Sequence, residues 1–376
     1  MNHVLLVSDQ AMPNFLPVLN KDLKPKSVTL VVSNKMKSRA QWLKKEIEKH
    51  QVQILPDIEL GENVADVNIV QSVFMKWVDD NKVLFENSVL NVTGGTKPMA
   101  IAAQDTFRMG GRPVFYVDIV SDWVSWLGEE GKSLFLSNQP TLSQFFGLNG
   151  IEIKEGEFKS VVDNEKWRHF YAEIASSPQK WALSIRALNG IASEAEEKDF
   201  LKFNVPSEVC YDPRWNEMIE ILHGDELICY EKTGVGEKFS SSEARSFCKG
   251  IWLEHYVFEI LKSFGFDKKR AMMNVKIEDS KGNKNEFDAV VIHKNTCYVI
   301  EDKTRNMKRE GVADSAVYKL SQLSSQMGIR VKGILVSALG VRSVDKDRAR
   351  TYGVEVIDWL PDLKNRLSSI LQVSNI

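Results

Sequence analysis

The sequence predicts an α/β protein in which two regular α/β regions flank a less regular middle segment. Short apolar runs alternate with segments of helical periodicity over the first 140 residues. After residue 240, one helical segment precedes three apolar strands, and a helix and a further strand follow. A chain of 376 residues, 43% of them hydrophobic, is long enough for two or three domains. We expect the domains to span residues 1–140, 141–240 and 241–376.

Composition narrows the function classes. The formal net charge is −2, so a protein that coats nucleic acid non-specifically is disfavoured, and any nucleic-acid contact must be local. No basic residues precede the N-terminal apolar run, which favours a first strand over a signal peptide. No apolar stretch approaches the length of a membrane span. The four cysteines are widely spaced and include no CxxC pair: Cys210, Cys229, Cys248 and Cys297. This spacing disfavours a zinc site and favours a reduced, cytoplasmic chain.

The first region is expected to form a parallel sheet with helices on both faces, because its apolar runs are continuous, as in strands buried on both sides. The predicted strands are residues 3–8, 27–33, 51–55, 88–92 and 113–117. The predicted helices are residues 35–50, 63–80 and 100–110. A loop is predicted at residues 9–14, directly after the first strand.

The middle segment is interpreted as a small helical or winged-helix-like linker domain. Helical periodicity covers residues 158–176 and 179–193, and another helix opens at residues 211–215. Residues 194–199 are charged and expected to be exposed, and residues 227–232 are typical of a strand.

The last region has the order α-β-β-β-α-β, followed by α-β-α. Ser240 and Glu243 have the spacing of a capping box, so a helix is expected from there to about residue 263. The predicted strands are residues 271–278, 285–293, 297–304, 331–337 and 354–358. The predicted helices that follow the third strand are residues 315–327, 344–352 and 362–371.

A charged cluster lies among the apolar residues of two neighbouring strands. Glu301 and Lys303 are two positions apart, so they project on one face of their strand. Asp288 lies thirteen positions before Glu301, on the preceding strand. A tight connection would place these two strands side by side, about 4.8 Å apart. Two carboxylates placed in this way can hold Mg²⁺ or Mn²⁺, and an adjacent lysine can orient water and neutralise a phosphate.

This segment resembles the PD-(D/E)xK, or restriction-endonuclease-like, superfamily over residues 250–340. The resemblance implies a metal-dependent nuclease fold with the motif at Asp288, Glu301 and Lys303. It implies metal ligation by the two carboxylates and by the backbone carbonyl of Asp302. Members often add an acidic residue from the first helix, and the G-x-W-L-E pattern of residues 250–254 points to Glu254.

Other interpretations of these residues stay open on the sequence alone. The pair Glu301 and Lys303 could belong to a surface hairpin, Glu254 could be an ordinary exposed helical residue, and Glu286 could replace Asp288. Residues 303–309 form a basic run that either lines a substrate groove or is a solvated loop. On the next helix, weaker candidates for contacts to a nucleic-acid backbone are Lys319 and Gln322.

A second candidate site follows the fourth predicted strand, where a Thr-Gly-Gly-Thr-Lys segment precedes a helix. Two glycines allow close approach of a ligand, and the helix N-terminus offers unpaired N–H groups and partial positive charge. The segment matches neither the G-x-G-x-x-G nor the G-x-x-x-x-G-K-[ST] nucleotide motif. From the residues alone, a phosphate cradle and a plain strand-to-helix turn are equally supported. A neighbouring candidate is the loop after the first strand.

The first region, with its strand-TGGTKPM-helix pattern, resembles a CARF domain, the Rossmann-like sensor of CRISPR-associated proteins. The whole layout resembles the CARF nucleases of type III CRISPR systems. The resemblance implies a homodimer that binds one cyclic oligoadenylate, usually the tetra-adenylate, across its two-fold axis. It implies base and ribose contacts from Ser8, Asp9, Gln10 and Asn14. It also implies a phosphate floor formed by Thr93, Gly94, Gly95, Thr96, Lys97 and Met99.

The resulting expectation is a cyclic tetra-adenylate-activated nuclease that uses Mn²⁺ or Mg²⁺ in antiviral defence. Its substrate would be single-stranded RNA, single-stranded DNA or duplex DNA that is nicked, and the sequence does not choose among them. Two rivals remain: a ligand-responsive transcription regulator, and a restriction or repair nuclease that needs no such activator. A sensor that slowly degrades its own ligand would be an addition to the main interpretation.

Overall fold

The computed structural model describes residues 1–128, 132–158, 165–230, 237–308, 311–327 and 330–373. The chain divides into two compact units. The first comprises Met1–Ile153, Ile277–Lys284 and Met327–Arg330, and the second comprises Lys154–Lys276, Asn285–Gln326 and Val331–Ile376. The sheets are mixed and helices accompany them, so the predicted α/β class is confirmed.

The sheet of the first unit is parallel at its centre. Its strands are β1 (Asn2–Leu6), β2 (Ser27–Ser33), β3 (Gln53–Ile54), β4 (Ile58–Gly61), β5 (Ser88–Asn91), β6 (Val114–Asp118), β7 (Trp123–Trp126) and β8 (Ser133–Phe135). They are ordered β3-β2-β1-β5-β6-β7-β8, and β4 also pairs with β2. Because β1 and β5 are parallel neighbours, the loops that follow them emerge side by side.

The helices of the first unit are α1 (Met12–Leu19), α2 (Lys37–Glu48), α3 (Val67–Asp80), α4 (Lys82–Glu86), α5 (Lys97–Met109) and α6 (Leu142–Leu148). Side chains of α3 and α5 form one hydrophobic cluster with alternate residues of β1, such as Val4 and Leu6. Among the described residues, no helix combines the length and the apolarity that crossing a bilayer requires.

Two predictions for the first unit were wrong in detail. The sheet is not wholly parallel, because β7 and β8 extend it in antiparallel fashion beyond β6. The predicted loop at residues 9–14 ends early, because α1 begins at Met12 with Pro13 in its first turn. Proline is favoured at the start of a helix, since its missing N–H would be unpaired there in any case.

The second unit begins with helices and a small antiparallel sheet. The helices are α7 (Glu165–Ser176), α8 (Ala182–Glu197) and α9 (Pro213–Gly224). The sheet has the order β10-β12-β11, formed by Lys202–Phe203, Glu237–Phe239 and Ile228–Tyr230. The first part of the helix predicted at 158–176 and the end of the strand predicted at 227–232 lie outside the described residues.

The next helical segment is interrupted. Ser241, one residue after the predicted cap, accepts a hydrogen bond from the Ala244 N–H and caps α10 (Ser242–Ser246). A π-helical turn (Phe247–Ile251) separates α10 from α11 (Trp252–Ser263). Such turns occur often at functional sites, and this one directly precedes the helix that carries Glu254.

The predicted α-β-β-β-α-β order is present as α11, β13 (Ala271–Asp279), β14 (Lys284–His293), β15 (Thr296–Lys303), α12 (Val312–Met327) and β16 (Val331–Ser337). The chain continues with α13 (Ser343–Thr351), β17 (Val354–Ile357) and α14 (Leu363–Leu371). The sheet order is β17-β16-β15-β14-β13-β9, where the edge strand β9 (Ile151–Glu157) was not predicted.

One hydrophobic core runs through the second unit. It joins helices α7, α8 and α9 to α11, α14 and the strands β13 to β16. The largest fully buried side chains include Trp181, Trp215 and Trp252. Truncating a buried tryptophan to alanine costs about 3–5 kcal/mol, so each of these three residues contributes substantially to the stability of this core.

Candidate active site and ligand loops

The two acidic residues of the predicted motif lie on adjacent antiparallel strands. Ala289 of β14 is the register partner of Ile300 of β15, so Asp288 and Glu301 come next in the ladder. Paired residues in a sheet project on the same face, which brings the two carboxylates together. The backbone N–H of Asp302 donates to Oδ2 of Asp288 at 2.6 Å, which fixes that carboxylate against β15.

The ammonium group of Lys303 contacts an oxygen atom of each residue predicted to bind metal. Its Nζ lies 2.7 Å from Oε1 of Glu301 and 3.6 Å from Oδ2 of Asp288. It also donates to the backbone carbonyl of Asp302 at 3.1 Å. Three oxygens therefore already surround one cation, and their donor set is the hard, oxygen-rich kind that Mg²⁺ and Mn²⁺ prefer.

No three carboxylate, imidazole or thiolate side chains of the described residues are arranged to hold one metal ion. The oxygens around Lys303 include only two carboxylates, and the third is a backbone carbonyl. Such a set fits a divalent cation that keeps several water ligands, as Mg²⁺ does. The residues present thus fit a metal with an incomplete protein shell, provided that the lysine moves aside.

A second lysine contacts the same carboxylate. Nζ of Lys319, on α12, lies 3.2 Å from Oε2 and 3.4 Å from Oε1 of Glu301, and it donates to the carbonyl of Glu286. The side chain of Glu301 is 8% exposed, whereas that of Lys319 is 42% exposed. Glu301 is therefore held between two ammonium groups, one of them open to solvent. The sequence named Lys319 only as a weaker candidate for contacts to a nucleic-acid backbone.

Glu254 belongs to the same electrostatic group. Burial, followed by the negative charge of Asp288, raises the pKa of Glu254 to about 8. Burial also raises the pKa of Asp288, with a further contribution from Glu301 that Lys303 opposes. Burial alone would lower the pKa of Lys303, but the charges of Asp288 and Glu301 outweigh it and raise that pKa. These carboxylates repel one another without a further cation, which is typical of a metal or catalytic site.

Asp302 contributes a feature that the sequence did not predict. Its side chain is buried, and both carboxylate oxygens lack a hydrogen-bond partner among the described residues. Burial, followed by the charge of Asp288, raises the pKa of Asp302 well above its ordinary value. The sequence pattern marks this position only as the variable residue between Glu301 and Lys303, so only its backbone carbonyl was expected to matter.

The turn before Glu254 is built around Gly250. Its φ is +153°, a conformation that other residues rarely adopt, and a Cβ there would lie 2.6 Å from Oγ1 of Thr304. Thr304 directly follows Lys303, so the glycine lets the helical segment approach the end of β15. The close approach helps to place Glu254 near the motif residues.

The loops after β1 and β5 are in direct contact in the first unit. A Cβ on Gly94 would lie 1.9 Å from the backbone oxygen of Leu6, so only glycine allows the observed approach. Gly95 has φ +73°, in the left-handed region. The side chain of Thr96 caps α5 by accepting the N–H of Met99, a residue that is itself buried.

A buried hydrogen-bond network joins the two loops. Asn14 donates to the carbonyl of Leu6 at 2.8 Å, and Asn91 donates to Oδ1 of Asn14 at 3.0 Å. The Thr93 hydroxyl donates to Oδ1 of Asn91 and accepts the N–H of Val117. Asn14 and Thr93 are thus already engaged within the fold, and their side chains fix the loops in place.

The other polar residues predicted to contact ligand face outward. Asp9, Gln10, Thr96 and Lys97 are exposed, and Ser8 is half-buried. Asp9 forms an ion pair with Arg39 at 3.5 Å. The exposed lysine stands at the first position of α5, where the helix dipole adds partial positive charge. The surface formed by the loops after β1 and β5 can therefore accept an anion from solvent.

Comparisons with known families decide what this combination is. Residues 2–142 match the family described as the Card1 CARF domain, and residues 241–373 match the family described as the Card1-like endonuclease domain. The chain belongs to the Card1-like CARF endonucleases. No curated protein sequence matches it significantly. The predicted resemblance and the predicted endonuclease activity are thereby confirmed, and an endonuclease domain of this family implies a divalent metal.

Solved structures support the same two-part fold. This CARF endonuclease is similar to protein VC1899 from Vibrio cholerae, with a TM-score of 0.87 and 23% identity over 99% of this chain and 98% of that one. It is similar to Can2 from Sulfobacillus thermosulfidooxidans, solved in complex with cyclic tetra-adenylate. That TM-score is 0.82, with 27% identity over 98% of both chains.

A more distant similarity is to a type III CRISPR defence DNA nuclease that is activated by cyclic oligoadenylate. The TM-score is 0.55 at 18% identity, and the alignment covers 98% of this chain but 51% of that one. At identities of 18% and 23%, the DNA nuclease and VC1899 show only that the fold is shared.

Proposed function

We propose that this CARF endonuclease is activated by cyclic tetra-adenylate and hydrolyses phosphodiester bonds of nucleic acid in type III CRISPR defence. The main support for nuclease activity is the set of three oxygens, from Asp288, Glu301 and Asp302, that surround the Lys303 ammonium. The domains would follow the expected division, with residues 1–140 as sensor, 141–240 as linker and 241–376 as nuclease.

In the nuclease part, we propose that Asp288, Glu301 and the Asp302 carbonyl hold Mn²⁺ or Mg²⁺. Such an ion, when bound, lowers the pKa of a water molecule and offsets charge on the reacting phosphate. Lys303 would move from its present contacts to orient the attacking water and neutralise the phosphate. Glu254, whose pKa is raised to about 8, can carry a proton near neutral pH and would hold or release one beside this centre.

In the sensor part, we propose that the phosphates of the ligand lie over the segment Thr93, Gly94, Gly95, Thr96, Lys97 and Met99. Ser8, Asp9 and Gln10 would contact bases and ribose, and Asn14 would act by positioning its loop, since its amide is buried. Can2, which was solved with cyclic tetra-adenylate, supports this ligand class.

A homodimer would suit such a ligand. A ring with two-fold symmetry can present the same groups to two copies of one surface, and two copies of Lys97 would offset its phosphates. Binding would favour one dimer arrangement and thereby bring two nuclease domains into a working state. A cytoplasmic location fits a defence protein that meets both a nucleotide signal and nucleic acid.

A cleavage assay tests the proposal. Labelled single-stranded RNA, single-stranded DNA and supercoiled plasmid are each incubated with Mn²⁺ or Mg²⁺, with and without cyclic tetra-adenylate. We expect the wild type to cut at least one substrate, and Glu301→Gln to lose more than about 1,000-fold in rate, because a neutral amide is a poor ligand for a hard cation. The exposed Glu208→Gln variant is the matched control.

The remaining outcomes separate the rivals. Cleavage that depends on Glu301 but not on the ligand would leave a restriction or repair nuclease. Absence of cleavage under every condition would favour a ligand-responsive regulator, and DNA binding by that regulator would be measured next.

A further inference from the structure

A cavity in the second unit lies next to the motif strand and has no role in the site described above. Its volume is about 340 Å³, within the range that holds a small ligand. Of the described residues, those that line it are Arg186 and Asn189 of α8, Arg305 and Asn306 after β15, and Val312 at the start of α12. We name it the arginine cavity.

Among the described residues, nothing compensates the positive charge of the arginine cavity. Its described lining includes two arginines and no carboxylate, in a chain whose net charge is −2. Nε of Arg186 donates to the carbonyl of Ala182, which leaves its terminal amino groups available. Neither Arg186 nor Arg305 forms an ion pair with any described residue. Two guanidinium groups that face one space repel each other until an anion lies between them.

Hydrogen bonds and packing of neighbouring residues hold the walls of the cavity in place. Asn189 is best placed with its amide nitrogen donating to the carbonyls of Cys248 and Lys249 and its oxygen accepting from the Thr304 hydroxyl, at 3.1, 3.2 and 3.0 Å. These bonds tie α8 to the end of β15. Met307 is fully buried and bridges to Val341, so the segment that carries Arg305 is anchored on both sides.

The arginine cavity begins two residues beyond Lys303. The Cα atoms of Lys303 and Arg305 are separated by at most about 7.6 Å, given about 3.8 Å per residue. A nucleic-acid strand repeats its phosphates along one direction, about 3.4 Å apart along a helix axis. A strand whose scissile phosphate lies at Lys303 therefore has another phosphate within reach of this cavity.

We propose that the arginine cavity binds a phosphodiester group of the substrate strand, a few nucleotides from the bond that is cut. Guanidinium groups are suited to this ligand, because their paired N–H donors match two phosphate oxygens. The helical segment before the nuclease domain then contributes directly to substrate binding through Arg186. This inference rests on the proposed nuclease function, which it extends by a substrate-binding subsite.

Kinetics with a double variant test the subsite. Arg186→Ala combined with Arg305→Ala should raise KM roughly tenfold near 150 mM salt, since each lost phosphate contact weakens binding several-fold, and kcat should change little. The exposed Arg366→Ala on α14 is the matched control. A KM equal to that of the wild type, while the wild type and the control both cleave, would overturn the subsite without touching the proposed function.

Binding can be measured even if no cleavage is found. The probe is a fluorescent single-stranded oligonucleotide, titrated with full-length Glu301→Gln protein over a range of salt concentrations. Replacing both arginines in that background should weaken binding and reduce the slope of log K against log salt by about 0.7, the value for one phosphate contact on a single strand. An unchanged slope, or no binding at any salt concentration, contradicts the inference.

A chemical variant of the probe identifies the group that is bound. Neutral methylphosphonate linkages are placed one at a time along the oligonucleotide. We expect one or two positions at which neutralisation weakens binding to the protein with both arginines but not to the double variant. If every position has the same effect on both proteins, then the cavity does not bind a backbone phosphate.

Discussion

The Lys303 ammonium lies among three oxygen atoms that are suited to bind a cation. Its ammonium lies within 3.6 Å of Glu301, Asp288 and the Asp302 carbonyl. A lysine in this place compensates buried negative charge when no other cation is bound, because an unpaired buried carboxylate is costly. Under the proposed function, these contacts would weaken when a metal binds, and Lys303 would then become available for the reacting phosphate.

At the residue scale, Glu254 makes the stability of the metal-free protein depend on pH. Its pKa is about 8 in the folded chain, against an ordinary value of 4.5. As pH rises from about 4.5 to 8, the unfolded chain releases this proton and the folded chain retains it, so stability is lost. In EDTA, Glu254→Gln should raise Tm relative to the wild type, and more at pH 8.5 than at pH 5.5.

Thermal unfolding followed by fluorescence checks this effect. The exposed Glu208→Gln variant should leave the difference between the two pH values as it is in the wild type. If Glu254→Gln shifts Tm equally at both pH values, the side chain is not the buried, proton-retaining group described above.

Lys319 also acts at the residue scale. Its ammonium contacts Glu301 from the solvent side, where an incoming phosphate would meet it. Lys319→Ala should lower kcat roughly tenfold to a hundredfold, because a positive charge near the reacting phosphate is lost. It should also lower the Mn²⁺ concentration needed for half-maximal rate, because one competitor for Glu301 is removed. Lys364→Ala, an exposed change on α14, is the control, and an unchanged kcat for Lys319→Ala would refute this role.

The sequence identified the motif residues because their spacing along two strands is enough to bring them together. It could not identify Lys319 as a partner of Glu301, since that contact depends on how α12 packs on the sheet. Nor could it identify the buried carboxylate of Asp302, because burial depends on the covering elements. Ligand contact by Asn14 stays a prediction, and the sequence did not reveal that its buried amide also holds the loop, because that contact depends on the neighbouring strand.

At the scale of elements, the β1 and β5 loops form one surface because Gly94 has no side chain. Gly94→Ala would place a Cβ 1.9 Å from the backbone oxygen of Leu6, so the loops must separate. We expect a loss of about 1–3 kcal/mol in stability, as for other overpacked sites, together with weaker binding of cyclic tetra-adenylate.

Calorimetric titration and thermal unfolding measure the two effects of Gly94→Ala. Gly224→Ala, whose Cβ would have no neighbour within 4 Å, is the matched control and should bind as the wild type does. If Gly94→Ala binds cyclic tetra-adenylate with unchanged affinity, contact between the loops does not define the ligand surface.

Long, strongly apolar elements were predictable, and short or irregular ones were not. The strands β13, β14 and β15 follow the predicted limits within one residue, because their apolar residues either alternate with polar ones, as in β13, or form continuous runs, as in β14 and β15. The short strands β7 and β8, of which β8 forms the edge of the sheet, were missed because only three or four residues define each of them. The π-helical turn at Phe247–Ile251 has no sequence signal apart from a glycine within a helical pattern.

At the scale of the whole molecule, the two units carry sites that differ in chemistry. The first unit offers an exposed lysine, a helix N-terminus and two contacting loops, which suit a phosphate-rich signal. The second unit offers mutually repelling carboxylates and two lysines, which suit a metal-dependent hydrolase. A ligand changes the activity of a second site only through its different affinity for the active and inactive states, so ligand binding and cleavage must be linked in free energy.

The most direct test is the initial rate of cleavage with and without cyclic tetra-adenylate, for the wild type and Lys97→Ala. We expect the ligand to raise the wild-type rate at least tenfold, within the usual range of allosteric coupling. Lys97→Ala should need a higher ligand concentration for the same maximal rate, because a charge that offsets the phosphates is lost. A wild-type rate that is the same with and without the ligand would show that cyclic tetra-adenylate does not activate the nuclease.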